Sequence, residues 1–123
     1  MTSQSLIHIA NQLQHLKEVR ISRCRNIEDE GVIYLAGKMP TLSAIDLSDC
    51  PKITDQCIYR ICDALPDLTA LNLQRCENIS ADAVIHISQK LPKVEKLVLS
   101  KSETIQTTVS EQGMRRCVWW PPV

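Results

Sequence analysis

LSAIDLSDCPKITDQCIYRICDALPD, residues 42–67, is the stretch that decides the fold of this chain. In its first half, Ile45 and Leu47 alternate with polar residues, which is the period-two pattern of a short, half-buried strand. In its second half the period changes, and Ile58 and Ile61 show the three-to-four spacing of an amphipathic helix. The stretch therefore predicts a strand, a turn and a helix.

The same pattern recurs along the chain at an interval of about 26 residues and needs no gap for alignment. The copies are LKEVRISRCRNIEDEGVIYLAGKMPT (16–41), LTALNLQRCENISADAVIHISQKLPK (68–93) and the opening VEKLVLSKSETI (94–105). Residues 5–15 match the second half of a repeat, so the sequence begins within one. A proline marks the end of each helix, at Pro40, Pro66 and Pro92.

Repeats of this kind stack because no single one can bury its own apolar stripe. We predict an α/β solenoid of about four such repeats, with parallel strands on the concave face and helices on the convex face. The repeat domain is expected to cover residues 1–106, and residues 107–123 to form an atypical C-terminal tail or cap.

The runs LSAIDLSDCPKITD (42–55), LKEVRISRCRNIED (16–29) and LTALNLQRCENISA (68–81) resemble the cysteine-containing leucine-rich repeats of F-box proteins. The resemblance implies a module that binds another protein, such as the substrate-recognition or adaptor part of a ubiquitin-ligase receptor, here without an F-box. The alternative is a structural scaffold subunit of a large ciliary or mitochondrial assembly. Residue variation concentrated on the concave face would favour the first function, and sticky solenoid ends favour the second.

Composition excludes several other classes of function. Fourteen basic and fourteen acidic residues cancel, so nucleic acid and anionic membranes are not expected partners. The N-terminus has no signal-peptide pattern, and we expect a cytoplasmic protein, with nuclear, ciliary and mitochondrial locations left open. No Gly-rich phosphate loop, metal-ligand spacing or catalytic constellation is present, so neither an enzyme nor a cofactor is predicted. His8 and His86 are expected on the solvated outer surface, and Asp29 and Asp55 as caps of helix N-termini.

The six cysteines are interpreted as structural rather than as disulfides or metal ligands, because none stands in a C-x-x-C pair. Cys24, Cys50 and Cys76 share one repeat position just after the strand, where a small side chain fits a buried turn. Cys57 and Cys62 fall on helices, and Cys117, in the tail, is expected to be the exposed thiol.

The concave strand face is the candidate binding surface, and strand alternation decides which side chains it presents. Its partner is expected to be a protein, which binds there or at the open solenoid ends. Glu18, Ala44, Ala70 and Lys96 form one row, and Arg20, Asp46, Asn72 and Val98 the next. Residues near the rim complete the face. The candidate partner-binding residues are Arg20, Arg23, Asp46, Asp49, Asn72, Arg75, Lys96 and Lys101.

The tail contributes the last two candidates, Trp119 and Trp120, followed by two prolines. They either fold back to cover the apolar edge of the last repeat or form an exposed anchor for a partner. A third alternative is that the tail arises from an altered transcript end.

Overall fold

The fold is seen in a computed structural model that describes the backbone of residues 2–13, 15–100 and 117–120, and the side chains of these residues except Ser100 and 117–120. Helices and parallel strands alternate, which confirms the predicted α/β solenoid. The helices are α1 (Ser3–Gln12), α2 (Asp29–Lys38), α3 (Asp55–Ala64) and α4 (Ala81–Lys90). The strands are β1 (Glu18–Arg20), β2 (Ala44–Asp46), β3 (Ala70–Leu73), β4 (Lys96–Ser100) and β5 (Cys117–Trp120).

The sheet follows chain order from β1 to β5, and every neighbouring pair is parallel. Residues at equivalent repeat positions pair directly, as Val19 does with Ile45 and Ile45 with Leu71. Each strand and the helix that follows it form one rung of the solenoid. The helices stack in the same order, α1 on α2, α2 on α3 and α3 on α4.

The core lies between the sheet and the helix layer. Leu47, Leu73 and Leu99 are all buried, as the strand alternation predicts, and the helices contribute Ile58, Ile61 and their counterparts in the other rungs. Each rung therefore buries its apolar residues against the rungs beside it, which is the source of stability in a solenoid.

The helices end two residues before the prolines, one residue earlier than the apolar pattern indicates. Met39, Leu65 and Leu91 continue that pattern but are C-cap residues with φ near −120°. Their backbone N–H groups still donate to the carbonyl four residues back, for example from Leu65 to Ile61 at 2.9 Å. Their side chains remain buried, so the core continues past the last helical turn.

Aspartates join consecutive rungs at the helix N-termini. Oδ1 of Asp29 accepts from the backbone N–H of Thr54 at 2.7 Å, and Oδ2 accepts from the Thr54 hydroxyl. Asp55 makes the same two bonds with Ser80, the N–H bond at 2.7 Å. The prediction that these aspartates accept backbone hydrogen bonds at helix N-termini is confirmed, but the helix that each serves is the next one along the solenoid.

The repeated cysteines also bond between rungs. The Cys50 thiol donates to the carbonyl of Ile21 at 3.1 Å, and the Cys76 thiol donates to that of Leu47 at 2.9 Å. Burial raises the pKa of Cys76 to about 12 and that of Cys62 to about 11. The protonated thiols of Cys50 and Cys76 satisfy buried carbonyls, which supports the structural interpretation at these two positions. The Cys117 side chain lies outside the described residues.

Gly31 lies at a close approach of α1 and α2, since a Cβ added there would stand 2.9 Å from Cβ of Ser3. We expect Gly31→Val to lower the free energy of unfolding by about 1–3 kcal/mol through overpacking. On the same helix, a Cβ at Gly37 would meet no atom within 4 Å, so Gly37→Val should change stability by less than about 0.5 kcal/mol. Urea unfolding followed by circular dichroism measures both, and equal losses would contradict the close approach.

Candidate functional site

The concave face presents two parallel rows of side chains that the sheet register aligns. The pairing Glu18–Ala44–Ala70–Lys96 builds the first row, and Arg20–Asp46–Asn72–Val98 builds the second. Residues between the rows, such as Ile45 and Leu71, point into the core. A shallow depression of about 140 Å³ follows these rows, and the two alanines contribute to its lining. The arrangement leaves room for side chains of a binding partner above the alanines.

Charged side chains lie at both ends of this concave face. The guanidinium Nε of Arg20 donates to Oε1 of Glu18 at 2.8 Å. This hydrogen bond and the Glu18 charge raise the pKa of Arg20, and Asp46 adds to the effect. On the far side, Lys96 is exposed. The β1–β2 side thus holds two carboxylates and one guanidinium, whereas β4 adds a single ammonium group.

Asp46 and Asn72 also stabilise the turns that follow their strands. Oδ1 of Asp46 accepts from the backbone N–H of Ser48 at 2.9 Å, and Oδ1 of Asn72 accepts from that of Gln74 at 3.1 Å. Short Asp and Asn side chains commonly bond to the backbone two residues on. Both residues are half-buried, and they combine this structural role with a position on the candidate surface.

The rim candidates sit at one special backbone position. Arg23, Asp49 and Arg75 have φ values of 62°, 55° and 61°, in the left-handed region. Such values are uncommon outside glycine, asparagine and aspartate. The N–H of Arg23 donates to the carbonyl of Ser48 at 2.9 Å, and that of Asp49 donates to Gln74 at 2.8 Å. The repeated turn therefore holds the rim side chains at one edge of the face.

The sequence placements of Val98 and Glu18 can be compared directly with the structure. Val98 lines the depression, as its place in the outward row predicts, but it is only 7% exposed. Glu18 was placed in an outward row but not chosen as a candidate, although its ion pair with Arg20 belongs to the site. The i, i+2 spacing of Glu18 and Arg20 on one strand face is the sequence signal for this pair. Lys101 lies outside the described residues. Residues 117–120 form β5, in which Trp119 pairs by backbone with Leu99, but their side chains lie outside the description, so the choice between cap and anchor stays a prediction.

The convex surface differs from expectation at one histidine. His8 is exposed, as predicted, but His86 is half-buried. It packs edge-on against Tyr59, with ring centroids 4.8 Å apart, and its Nε2 is buried with no hydrogen-bond partner. The prediction of a solvated His86 is therefore wrong, because Tyr59 on the preceding rung covers the ring.

The described part of the chain also bears on two other kinds of site, a metal site and a membrane span. There, no three His, Cys, Asp or Glu side chains are grouped so that they could hold a metal ion. None of the described helices has the length and apolar character needed to cross a membrane. A second depression, of about 380 Å³, is lined by Glu28, Asp29 and Lys52 among others, but both Asp29 oxygens already bond to Thr54.

Comparisons with known proteins agree with this architecture. A family model described as a leucine-rich repeat matches residues 12–36. Among solved structures, one titled "Leiomodin-1 Actin-Binding Site 2 (ABS2)" is similar, with 17% sequence identity and a TM-score of 0.67. The alignment covers 88% of this chain and 68% of that one. A comparison with curated protein sequences finds no match. The fold is a leucine-rich-repeat solenoid.

Proposed function

We propose that the chain is a protein-binding module and that the two-row concave face is its binding surface. The observation that carries the proposal is the depression above Ala44 and Ala70, with charged groups at both ends. Small side chains at the centre leave room for a partner's side chains, and charges of both signs supply orientation and specificity. Binding without catalysis is the function that such a surface serves.

The proposal extends to two kinds of protein partner. The cysteine ladder of Cys50 and Cys76, which bonds between rungs, supports a relationship to the cysteine-containing repeats of F-box proteins. A cytoplasmic role as the substrate-recognition or adaptor part of a ubiquitin-ligase receptor would follow. The solved structure of similar fold carries actin binding in its title, which makes actin a reasonable first purified partner to try.

The test uses a substitution that fills the depression without touching the core. Ala70 is half-buried with its side chain on the concave face, so Ala70→Arg should leave the fold intact. We expect it to weaken binding of any partner of this face by at least about tenfold. Gln89→Arg, at an exposed position on the convex side, is the matched control and should have no effect.

Partners recovered by wild-type chain from cell lysate would be identified by mass spectrometry, purified and titrated against the three chains by calorimetry. Loss of affinity with Ala70→Arg alone supports the concave face. Equal affinity of all three chains for every partner would refute it.

A scaffold function is the second candidate, and a specific observation favours it. Leu13, at the end of the solenoid that precedes β1, is 51% exposed. In a scaffold, a neighbouring subunit would pack against this apolar side chain. Under this function, Leu13→Ser would abolish assembly while Ala70→Arg would not.

A further inference from the structure

The two rows of the concave face carry opposite net charges at their two ends. On β1 and β2, the carboxylates of Glu18 and Asp46 outnumber the single guanidinium of Arg20. On β4 the rows hold the ammonium group of Lys96, which is exposed, and β3 contributes no charge to them. The rows are therefore negative over β1 and β2 and positive over β4, with small or uncharged side chains between.

Charged residues beside the rows leave this polarity unchanged. Arg23, Asp49 and Arg75 stand at the rim, and counting them keeps the excess negative on the β1–β2 side and positive on the β3–β4 side. Lys17 and Glu95 come one residue before the first row, and alternation directs their side chains to the other side of the strand. The sign of the charge thus reverses along the axis of the solenoid.

The sheet offers a partner on this face side chains but no backbone groups. β2 and β3 each pair with a strand on both sides, so their N–H and carbonyl groups bond within the sheet. A segment that lies on the face must therefore satisfy its own backbone. An α-helix does so internally, whereas an extended segment would leave backbone groups without partners above the alanines. The face accordingly favours a helix.

The spacing of the rows also matches a helix that lies along the axis of the solenoid. The four strands that carry the rows span about 14 Å at about 4.8 Å per strand. Helix residues at i, i+4, i+7 and i+11 share one face and span about 16 Å at about 1.5 Å per residue. One turn of the helix therefore stands over each strand, and a modest tilt takes up the difference.

We propose that the concave face binds one amphipathic α-helix of a partner protein, with a basic residue at one end of its contact stripe and an acidic residue at the other. The inference rests on the proposed function and adds the chemistry of the partner. The basic side chain lies over Glu18 and Asp46, and the acidic one over Lys96. Two apolar side chains between them fill the depression above Ala44 and Ala70.

The probe is the acetylated and amidated peptide Ser-Ala-Glu-Ala-Ala-Gln-Leu-Ala-Ala-Leu-Gln-Ala-Ala-Lys-Ala-Ala. Its glutamate, two leucines and lysine have the spacing of the contact stripe, and its charges suit its own helix dipole. Calorimetric titration into the full chain should give a Kd below about 1 mM. Proline in place of one alanine between the leucines should weaken binding by at least about tenfold, because it breaks the helix.

Charge reversal in the chain tests the polarity of the face. A second peptide has lysine in place of the glutamate, and the wild-type chain should bind the first peptide at least about threefold more tightly. Lys96→Glu should reverse this order. Each peptide has the same helicity with both chains, so helicity cancels in the comparison. Lys90→Glu makes the same charge change at the exposed end of α4 and should keep the wild-type order.

Ala70→Arg separates this inference from the proposed function. It should weaken the first peptide by at least about tenfold, because arginine fills the depression that the leucines would occupy. Absence of peptide binding, equal affinity of the proline peptide, or an order unchanged by Lys96→Glu would overturn the helix as occupant, even where Ala70→Arg weakens partners from lysate. If Ala70→Arg weakened neither the peptide nor those partners, the concave face would fail as a binding surface altogether.

Discussion

Leu71→Ala is expected to lower the free energy of unfolding by about 2–5 kcal/mol, and Leu13→Ala by less than about 1 kcal/mol. Leu71 lies on β3 between β2 and β4 and is 1% exposed. Removing its side chain leaves a cavity in a central rung, and both neighbouring rungs lose contacts. Leu13 undergoes the same chemical change at a half-exposed position.

Equilibrium urea unfolding measured by circular dichroism compares the two variants with the wild-type chain. The slope of the transition should stay constant if the change is one of stability alone. If Leu13→Ala proved as costly as Leu71→Ala, the exposure of Leu13 would be contradicted, because truncating an exposed side chain leaves no cavity.

The sequence predicted the fold well because repeat position determines direction in a solenoid. The spacing that aligns Ile45 with Leu71 in the sequence also aligns them in the sheet. The same logic correctly placed the buried cysteines and the outward rows. It does not predict the low exposure of Val98, which has the repeat position of Asn72 and lines the same depression, because repeat position alone does not show what covers a side chain in the last described rungs.

The contacts between neighbouring rungs could not be predicted from the sequence. Asp29 has the sequence signature of a helix cap, but its partner Thr54 is one repeat away, and only stacking reveals that the neighbouring helix presents its N–H. The partial exposure of Ile9 could not be predicted either, since Ile9 follows the helix pattern as regularly as the buried Ile61 does. His86 is half-buried because it packs against Tyr59 of the preceding rung, and this too is a contact between rungs.

Two candidate binding residues, Asp46 and Asn72, also have a structural role. Strand alternation placed Asp46 and Asn72 outward, and both line the depression. Their bonds to the backbone N–H groups of Ser48 and Gln74 give them a structural reason to be present. Substitutions at these two positions therefore change the turn as well as the surface, and Ala70, which makes no such bond, is the cleaner position at which to test binding.

Alkaline pH is expected to destabilise the chain through its buried thiols, with Cys76 as the clearest case. Desolvation by burial, the largest cause, raises the pKa of this thiol from an ordinary value of about 9 to about 12. The pKa of this thiol is thus higher in the folded chain than in the unfolded chain. Its contribution to stability is fully present below the unfolded-state pKa, near pH 9, and is lost as the pH rises toward the folded-state pKa of about 12. For a shift of this size, the loss from Cys76 near pH 11 is about 2–3 kcal/mol.

Cys76→Ser isolates this effect, because the hydroxyl does not ionise in the range and can still donate to the Leu47 carbonyl that the thiol meets at 2.9 Å. The free energy of unfolding would be measured for both chains between about pH 7 and pH 11. Lysines, tyrosines and the other thiols also titrate there, but they are common to the two chains and cancel in the difference. The serine variant should therefore gain on the wild-type chain as the pH rises. A constant difference between the two curves would show that Cys76 ionises no less readily in the folded chain than in the unfolded one, contrary to its burial between rungs.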